Sequence, residues 1–125
     1  MFTLKYRIKN EDINYGGHVG NERALLFFQF ARMEFFKSIG LDEINIGDGV
    51  GVIQKNAFVE YNKQLFLDDE ISIIITDIEV SKLTFNITYE IYKDDVKVIN
   101  GSTLLVCFDY SSQKIKKFQQ ILLKL

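Results

Sequence analysis

The chain has 125 residues and a formal net charge of −2, with 47% hydrophobic and 26% charged residues. These proportions are typical of a globular protein, and the length predicts a single domain spanning residues 1–125. No basic cluster is present, which argues against a nucleic-acid partner. The single cysteine excludes an internal disulfide and every multi-cysteine metal site. The chain does not open on a charged leader followed by an apolar run, so we expect a cytoplasmic protein.

The first third of the chain predicts a strand, a loop and a long helix. Apolar and polar residues alternate over residues 2–8, the period of a half-buried strand. A polar loop with several glycines follows at 9–20. The apolar run that comes next predicts a helix with Asn21 as its N-cap and Gly40 directly after its C-terminus.

The predicted helix is apolar almost all round, which favours burial at the centre of the domain. Gln29, Arg32 and Glu34 interrupt the apolar run too often for a membrane span, so no membrane partner is expected. After Gly40, residues 42–49 predict a short turn of helix and a loop.

From Val50 on, the sequence predicts strands. The first is interrupted near residues 54–56, and the second shifts its parity near Thr76 and Asp77, which indicates a β-bulge. Residues 83–91 alternate most cleanly, and the last strand is expected to weaken at Gly101. The spacing in the tail at 115–125 predicts a short amphipathic helix on the outside.

This order of elements predicts an α+β domain in which a five-stranded antiparallel sheet wraps around one long central helix, with a short C-terminal helix. A sheet of five strands has exposed edges, which proteins often protect by pairing with a second copy. We therefore expect a homo-oligomer.

The loop before the helix carries the most specific pattern in the chain. Residues 12–21 read D-I-N-Y-G-G-H-V-G-N, and the helix contains Ala31-Arg32. This pattern resembles the hot-dog fold thioesterases, in particular the 4-hydroxybenzoyl-CoA thioesterase-like and acyl-carrier-protein thioesterase branch. Many members show D-x-x-G-H-V-N-N, or D-x-N-x-H-V-N, before a helix with an E-A-R or E-x-x-R stretch. This chain has extra residues between Asp12 and His18, and Gly20 where Asn is usual.

The resemblance implies a hydrolase that cleaves an acyl-CoA or acyl-carrier-protein thioester to a free acid and a thiol. It implies a homodimer or homotetramer, no metal, and no cofactor other than coenzyme A as part of the substrate. Hydrolysis of a thioester needs a base or nucleophile, an activated water and donors for the oxyanion. On the resemblance, Asp12 is the base or nucleophile. Asn14 orients the water or the carbonyl, and His18 is a second base or a donor.

The remaining loop residues are candidates for substrate binding. Backbone N–H groups from Gly17 to Gly20 precede a helix N-terminus, where donors and the helix dipole favour an oxyanion. The candidate substrate-binding residues are Tyr15, Gly16, Gly17, Val19 and Gly20.

Each of these assignments has a structural alternative. Asp12 and Asn14 are residue types that form turns and caps, and a lone histidine such as His18 is often only structural. Cys107 lies among apolar strand residues and is interpreted as an inert buried thiol. Lys55, Lys63 and Lys82 could meet the phosphates of coenzyme A, although scattered lysines usually form only solvated surface.

Two other functions stay open. A hot-dog hydratase or dehydratase would resemble D-x-N-P-x-H, but this chain has no proline and its histidine lies further along. A non-catalytic acyl-CoA-binding domain would share the fold without hydrolysing the thioester.

Overall fold

A computed structural model of the protein describes residues 2–47 and 49–115. In chain order the described elements are β1 (Phe2–Arg7), a 3-10 turn (Asn10–Asp12), α1 (Arg23–Ser38), β2 (Gly51–Tyr61), β3 (Glu70–Val80), β4 (Thr84–Lys93), β5 (Val96–Asp109) and β6 (Lys114–Ile115).

The strands form one antiparallel sheet in the order β1-β3-β4-β5-β2, and β6 pairs with β5. The predicted α+β architecture and the five long strands are confirmed, and β6 is an addition to them. Ile115, expected to begin a helix, instead pairs with Phe108 in β6. The rest of the predicted C-terminal helix, residues 116–125, lies outside the described residues. Although β2 and β3 are consecutive in sequence, they lie apart, because β2 pairs with β5 at one edge of the sheet.

Both predicted irregularities in the strands are confirmed. The pairing of β3 with β4 shifts between Ile75 and Asp77, and the pairing of β2 with β5 shifts between Gln54 and Asn56. An extra residue at each bulge returns the apolar side chains to the core face after the parity change. The segment 42–47 forms turns held by the Asp42 and Asn45 side chains and not the predicted turn of helix.

The sequence predicted the C-terminal end of α1 correctly but placed its N-terminal end one residue too early. The helix begins one residue later than expected, with Glu22 at the N-cap in place of Asn21 and without a side-chain cap hydrogen bond. The helix ends at Ser38 with Ile39 as its C-cap, and Gly40 follows directly, as predicted, with a φ of 78°. There the N–H groups of Gly40 and Leu41 donate to the carbonyls of Lys37 (3.0 Å) and Phe36 (2.8 Å), which satisfies two terminal carbonyls.

One face of α1 is buried against the sheet and the opposite face is open. The buried residues are Ala24, Phe27, Phe28, Ala31, Arg32 and Phe36. Phe28 stacks on Tyr89 of β4, with ring centroids 4.3 Å apart. Leu25, Gln29 and Met33, spaced four residues apart, are exposed, and Met33 reaches 47% exposure. The prediction of a helix buried all round is therefore wrong for this face, because the sheet covers only one side of the helix.

Arg32 is buried, and its charge is satisfied by a polar network beneath the helix. Its Nε donates to Oε2 of Glu43 at 2.8 Å, and its Nη1 donates to the Tyr89 hydroxyl at 3.2 Å. The Tyr89 hydroxyl also lies 2.7 Å from that of Thr103. The network ties the middle of α1 to the segment that follows it and to two strands, so Arg32 has a structural role here.

The expected weakening of the last strand at Gly101 is wrong, because β5 runs without a break through this residue. Gly101 pairs with Val59 on one side and with Tyr89 on the other. A Cβ at this position would clash with the Phe58 carbonyl oxygen of β2 and would lie 2.9 Å from the Phe28 ring of α1. The glycine therefore lets both the neighbouring strand and the helix approach β5 closely.

We expect Gly101→Ala to lower the free energy of unfolding by about 1–3 kcal/mol, the usual cost of overpacking a core. Urea unfolding of the variant beside Ser102→Ala, its half-buried neighbour, measures this cost. Equal midpoints for both variants would show that the space above Gly101 is not needed.

Candidate active site

The loop before α1 closes on itself as a small turn. Ile13 and Val19 form an antiparallel bridge, and the Asn14 N–H donates to the His18 carbonyl at 2.8 Å. Inside the turn, the Gly17 N–H donates to the Asn14 carbonyl at 3.1 Å, and the Gly16 N–H donates to Asn14 Oδ1 at 2.8 Å. These bonds hold the turn in one shape, although much of it is exposed.

The tip of this turn projects away from the domain. Tyr15 is fully exposed there, and Gly17 has a φ of 82°, a left-handed conformation that favours glycine. At the base of the turn, the Val19 N–H donates to the Leu65 carbonyl at 2.8 Å, which anchors the loop to the connection between β2 and β3.

The structure brings Asn14 and His18 together around Gly16. The Nδ1 of His18 lies 3.0 Å from the Val19 carbonyl oxygen. A carbonyl can only accept, so in the neutral imidazole Nδ1 carries the hydrogen and Nε2 keeps its lone pair. His18 Nε2 and Asn14 Oδ1 would each lie 3.3 Å from a Cβ built on Gly16. Both atoms therefore lie next to the Gly16 backbone.

Asp12 lies in a different environment, buried at 1% exposure. Its Oδ2 accepts from the Tyr6 hydroxyl at 2.7 Å and from the Lys9 N–H at 2.9 Å. Its Oδ1 accepts from Nε and Nη2 of Arg23 at 2.9 and 2.6 Å. Burial raises the pKa of Tyr6, and the hydrogen bond to the carboxylate raises it further. Four donors thus surround the Asp12 carboxylate and join β1 and the first turn of α1 through it.

His18 borders a cavity of about 220 Å³ between two walls. Residues 18–21 form one wall, residues 61–65 form the other, and Ile99 also contributes. The Tyr61 hydroxyl donates to the Asn21 carbonyl and so joins the two walls. Burial raises the pKa of Tyr61, and the nearby charge of Glu22 adds to this.

The predicted site residues are distributed unevenly around this cavity. Val19 and Gly20 border it together with His18, whereas Tyr15, Gly16 and Gly17 lie in the turn outside its lining. Asp12 and Asn14 are also absent from the lining.

The amides predicted to bind the oxyanion are mostly occupied within the loop. Gly17 and Val19 donate as described above, and the Gly20 N–H donates to the Asp12 carbonyl at 3.1 Å. In the described part of the chain, the N–H groups of His18, Asn21 and Glu22 have no such partner. One free donor therefore lies within the predicted range, at His18, and two lie directly after it, at the start of α1.

Several other possible chemistries find no support among the residues described. Burial raises the pKa of Cys107 to about 11, so its thiol is protonated near neutral pH and is a poor nucleophile. Within residues 2–47 and 49–115, no three metal-ligating side chains cluster. The helix in that part of the chain is too short and too polar to cross a bilayer.

Comparison with known proteins identifies the family. The model of the thioesterase-like superfamily matches residues 8–124, nearly the whole chain. The chain belongs to the thioesterase-like superfamily. The antiparallel sheet packed on α1 in the described residues is the hot-dog fold, as the resemblance in the loop predicted.

Individual proteins are similar to this chain in sequence or in fold. A protein of Aquifex aeolicus (strain VF5) named "Putative esterase" is 31% identical over 103 residues, which cover 82% of this chain and 80% of the relative. The crystal structure of a hypothetical protein from Aquifex aeolicus aligns with a TM-score of 0.89 and 28% identity, over 99% and 98% of the two chains. A 1,4-dihydroxy-2-naphthoyl-CoA thioesterase from Synechocystis aligns with a TM-score of 0.83 and 20% identity, over 95% and 90%.

The sequence did not predict the second wall of the cavity, residues 61–65. Tyr61, Asn62 and Gln64 were not assigned to the site, and Lys63 was considered only for phosphate contacts. The polar stretch directly after a predicted strand was a visible signal of a loop. Its position opposite His18 was not visible, because it depends on β2 crossing to the far edge of the sheet.

Proposed function

We propose that the protein hydrolyses the thioester of an acyl-CoA or of an acyl-carrier protein to a free acid and a thiol. The observation that carries this proposal is the position of His18, which borders a cavity at the start of α1 and whose neutral imidazole, with Nδ1 donating to the Val19 carbonyl, keeps Nε2 as an acceptor. Membership of the thioesterase-like superfamily supports the reaction class. The coenzyme A thioesterase with the same fold supports a CoA-type substrate.

In the proposed reaction, His18 acts as the general base. Its Nε2 takes a proton from a water molecule as the water oxygen attacks the thioester carbonyl carbon. Asn14 lies outside the cavity lining, and its Oδ1, which accepts from the Gly16 N–H, helps to fix the turn that positions His18. The oxyanion that forms accepts from the N–H groups of Asn21 and Glu22. When the carbon–sulfur bond breaks, the thiolate leaves and takes a proton from the imidazolium, which restores the base.

The resemblance implied that Asp12 is the base or nucleophile. In this proposal His18 takes that role, and Asp12 is a positioning residue. All four hydrogen bonds to its carboxylate come from the protein, and the side chain has no exposed surface. The arginine fork occupies one carboxylate oxygen and the Tyr6 hydroxyl and Lys9 N–H occupy the other, so neither oxygen is offered to a water or a carbonyl. By holding Arg23 and Tyr6, Asp12 fixes where α1 begins, and with it the amides that face the substrate.

The same geometry ranks the alternative functions lower. A hydratase or dehydratase of this fold would need the Asp/His pair at one reacting carbon, but Asp12 does not border the cavity beside His18. A purely acyl-CoA-binding domain would need neither a free Nε2 nor nearby unpaired amides. If the protein binds coenzyme A esters without releasing thiol, it is an acyl-CoA-binding domain and not a thioesterase.

The test is release of free thiol from a panel of acyl-CoA and acyl-carrier-protein thioesters. His18 is the only histidine in the chain, so diethylpyrocarbonate at mildly acidic pH should stop hydrolysis by modifying this residue. A good substrate should protect the enzyme from the reagent. Full activity after complete modification of His18 would rule out the proposed base.

We also propose that the enzyme is a homodimer formed through β2, acting in the cytoplasm without a further cofactor. β2 is 11 residues long and lies at the edge of the sheet. It exposes apolar side chains that a monomer would leave in water, with Phe58 at 58% and Ile53 at 38% exposure. A long edge strand with apolar side chains is a ready template for pairing with a second strand. Because Tyr61 at the end of β2 contacts Asn21, such a dimer would place the partner close to the candidate site.

Phe58→Lys should convert this dimer to a monomer, because lysine on an edge strand opposes strand pairing. Light scattering at micromolar concentration measures the mass. Leu83→Lys, which also replaces an exposed apolar residue but lies outside the strands, is the matched control and should remain dimeric. A parent protein that is already a monomer would contradict the proposal.

A further inference from the structure

Lys63 is the charged residue that borders the His18 cavity. The other bordering residues, 18–21, 61, 62, 64, 65 and 99, include no carboxylate and no second lysine or arginine. In the described part of the chain, the Lys63 ammonium forms no ion pair. The cavity therefore receives a positive charge that no carboxylate in its lining neutralises.

The corner that carries Lys63 is held in place by hydrogen bonds. The N–H groups of Asn62 and Lys63 both donate to the Val98 carbonyl, at 2.8 and 3.1 Å. The Asn62 side chain donates to Asn100 Oδ1 at 3.1 Å. Lys63 thus extends from a fixed backbone, opposite the wall formed by residues 18–21.

A phosphate contact does not fit this position. The cavity of about 220 Å³ is smaller than the pockets of ~300–1,000 Å³ that enclose a drug-sized ligand. Between the sulfur of coenzyme A and its first phosphate lies the whole pantetheine arm. With the thioester carbonyl beside His18, a lysine on the same small cavity lies near the sulfur, and the phosphates lie well beyond it.

Two negative charges develop during thioester hydrolysis, one on the carbonyl oxygen and one on the leaving sulfur. The amide of Asn21 lies on the first wall and that of Glu22 follows it directly, and both serve the oxygen in the proposed reaction. Lys63 lies on the facing wall, where the sulfur departs if the oxygen points to those amides.

We propose that Lys63 is a catalytic residue whose ammonium contacts the thioester sulfur and stabilises the thiolate as the carbon–sulfur bond breaks. The inference rests on the proposed thioesterase function. The sulfur leaves with the bonding electron pair, and Lys63 stays protonated throughout. The proton that ends on the thiol comes from the His18 imidazolium, which received it from the attacking water.

The test compares Lys63→Met with the parent on three thioesters of the acyl group that the parent hydrolyses fastest. They are the CoA ester, the N-acetylcysteamine ester, which has an alkyl thiol but no phosphate, and the thiophenol ester, whose thiolate is already a good leaving group. We expect kcat to fall about tenfold for both alkyl esters, less than the 10²–10³-fold typical of an enclosed oxyanion donor, because Lys63 is exposed. The loss should be clearly smaller for the thiophenol ester.

Two further variants complete the design. Lys63→Arg keeps the charge and should restore most of the activity on alkyl esters. Lys114→Met removes an equally exposed lysine from β6, which pairs with the far end of β5, and should behave like the parent. A loss confined to the CoA ester would assign Lys63 to the phosphates and overturn the inference, as would an equal loss on all three esters or none. A parent that hydrolyses no thioester would refute the proposed function itself.

Discussion

Replacing His18 by alanine is expected to lower kcat by about 10²–10⁴-fold, the usual contribution of a general base. His18 borders the cavity and its neutral imidazole offers Nε2 as an acceptor, whereas alanine leaves no acceptor for the proton of the water. KM should change little, because Nε2 acts on the water and binds little of the acyl-CoA. Steady-state thiol release from the best ester of the panel measures both constants.

The control for this variant must separate chemistry from loop structure. His18→Gln keeps a polar side chain that can still hydrogen bond to the Val19 carbonyl, so the turn of residues 13–19 should remain closed. It should lose as much activity as His18→Ala, and added imidazole should restore part of the rate of the alanine variant. If the folded glutamine variant hydrolyses its best ester at the parental rate, His18 is a structural histidine and another base must act.

Replacing Asp12 by alanine is expected to cost about 3–5 kcal/mol of folding free energy, because it leaves the Arg23 guanidinium without its buried partner. That loss is a large part of the stability of an ordinary domain. Urea or thermal unfolding measures it. Glu70→Ala breaks the exposed ion pair with Arg7 and is the matched control, with an expected cost of at most about 1 kcal/mol.

A double variant distinguishes the positioning role of Asp12 from a catalytic one. Asp12→Asn together with Arg23→Met removes both charges, so it should recover much of the stability that the single Asp12 variant loses. If Asp12 acts through Arg23, the double variant should be about as active as the single Arg23→Met variant, which keeps the Asp12 carboxylate. A folded double variant at least 100-fold less active than Arg23→Met would show that Asp12 itself is the base or nucleophile, as the resemblance implied.

Local patterns in the sequence were sufficient for most of the elements. The alternation in β1 and β4, the parity change at Thr76 and Asp77, and the glycine after α1 each depend on a few neighbouring residues. Backbone geometry and side-chain period act over the same short distance, so these features could be read from the chain. The motif at residues 12–21 was also sufficient to identify the family that the whole-chain comparison confirms.

What only the tertiary structure decided depends on contacts between distant segments. Nothing beside Asp12 in sequence shows that Arg23 and Tyr6 would enclose its carboxylate, or that His18 and not Asp12 would border the cavity. Gly101 looked like a weak point because the groups that need its space, the Phe58 carbonyl and the Phe28 ring, lie more than forty and more than seventy positions earlier. The second wall of the site exists because β2 lies beside β5 and not beside β3. The sequence by itself determined most of the elements, the family and the candidate loop, whereas packing across the sheet decided which residues of that loop border the cavity.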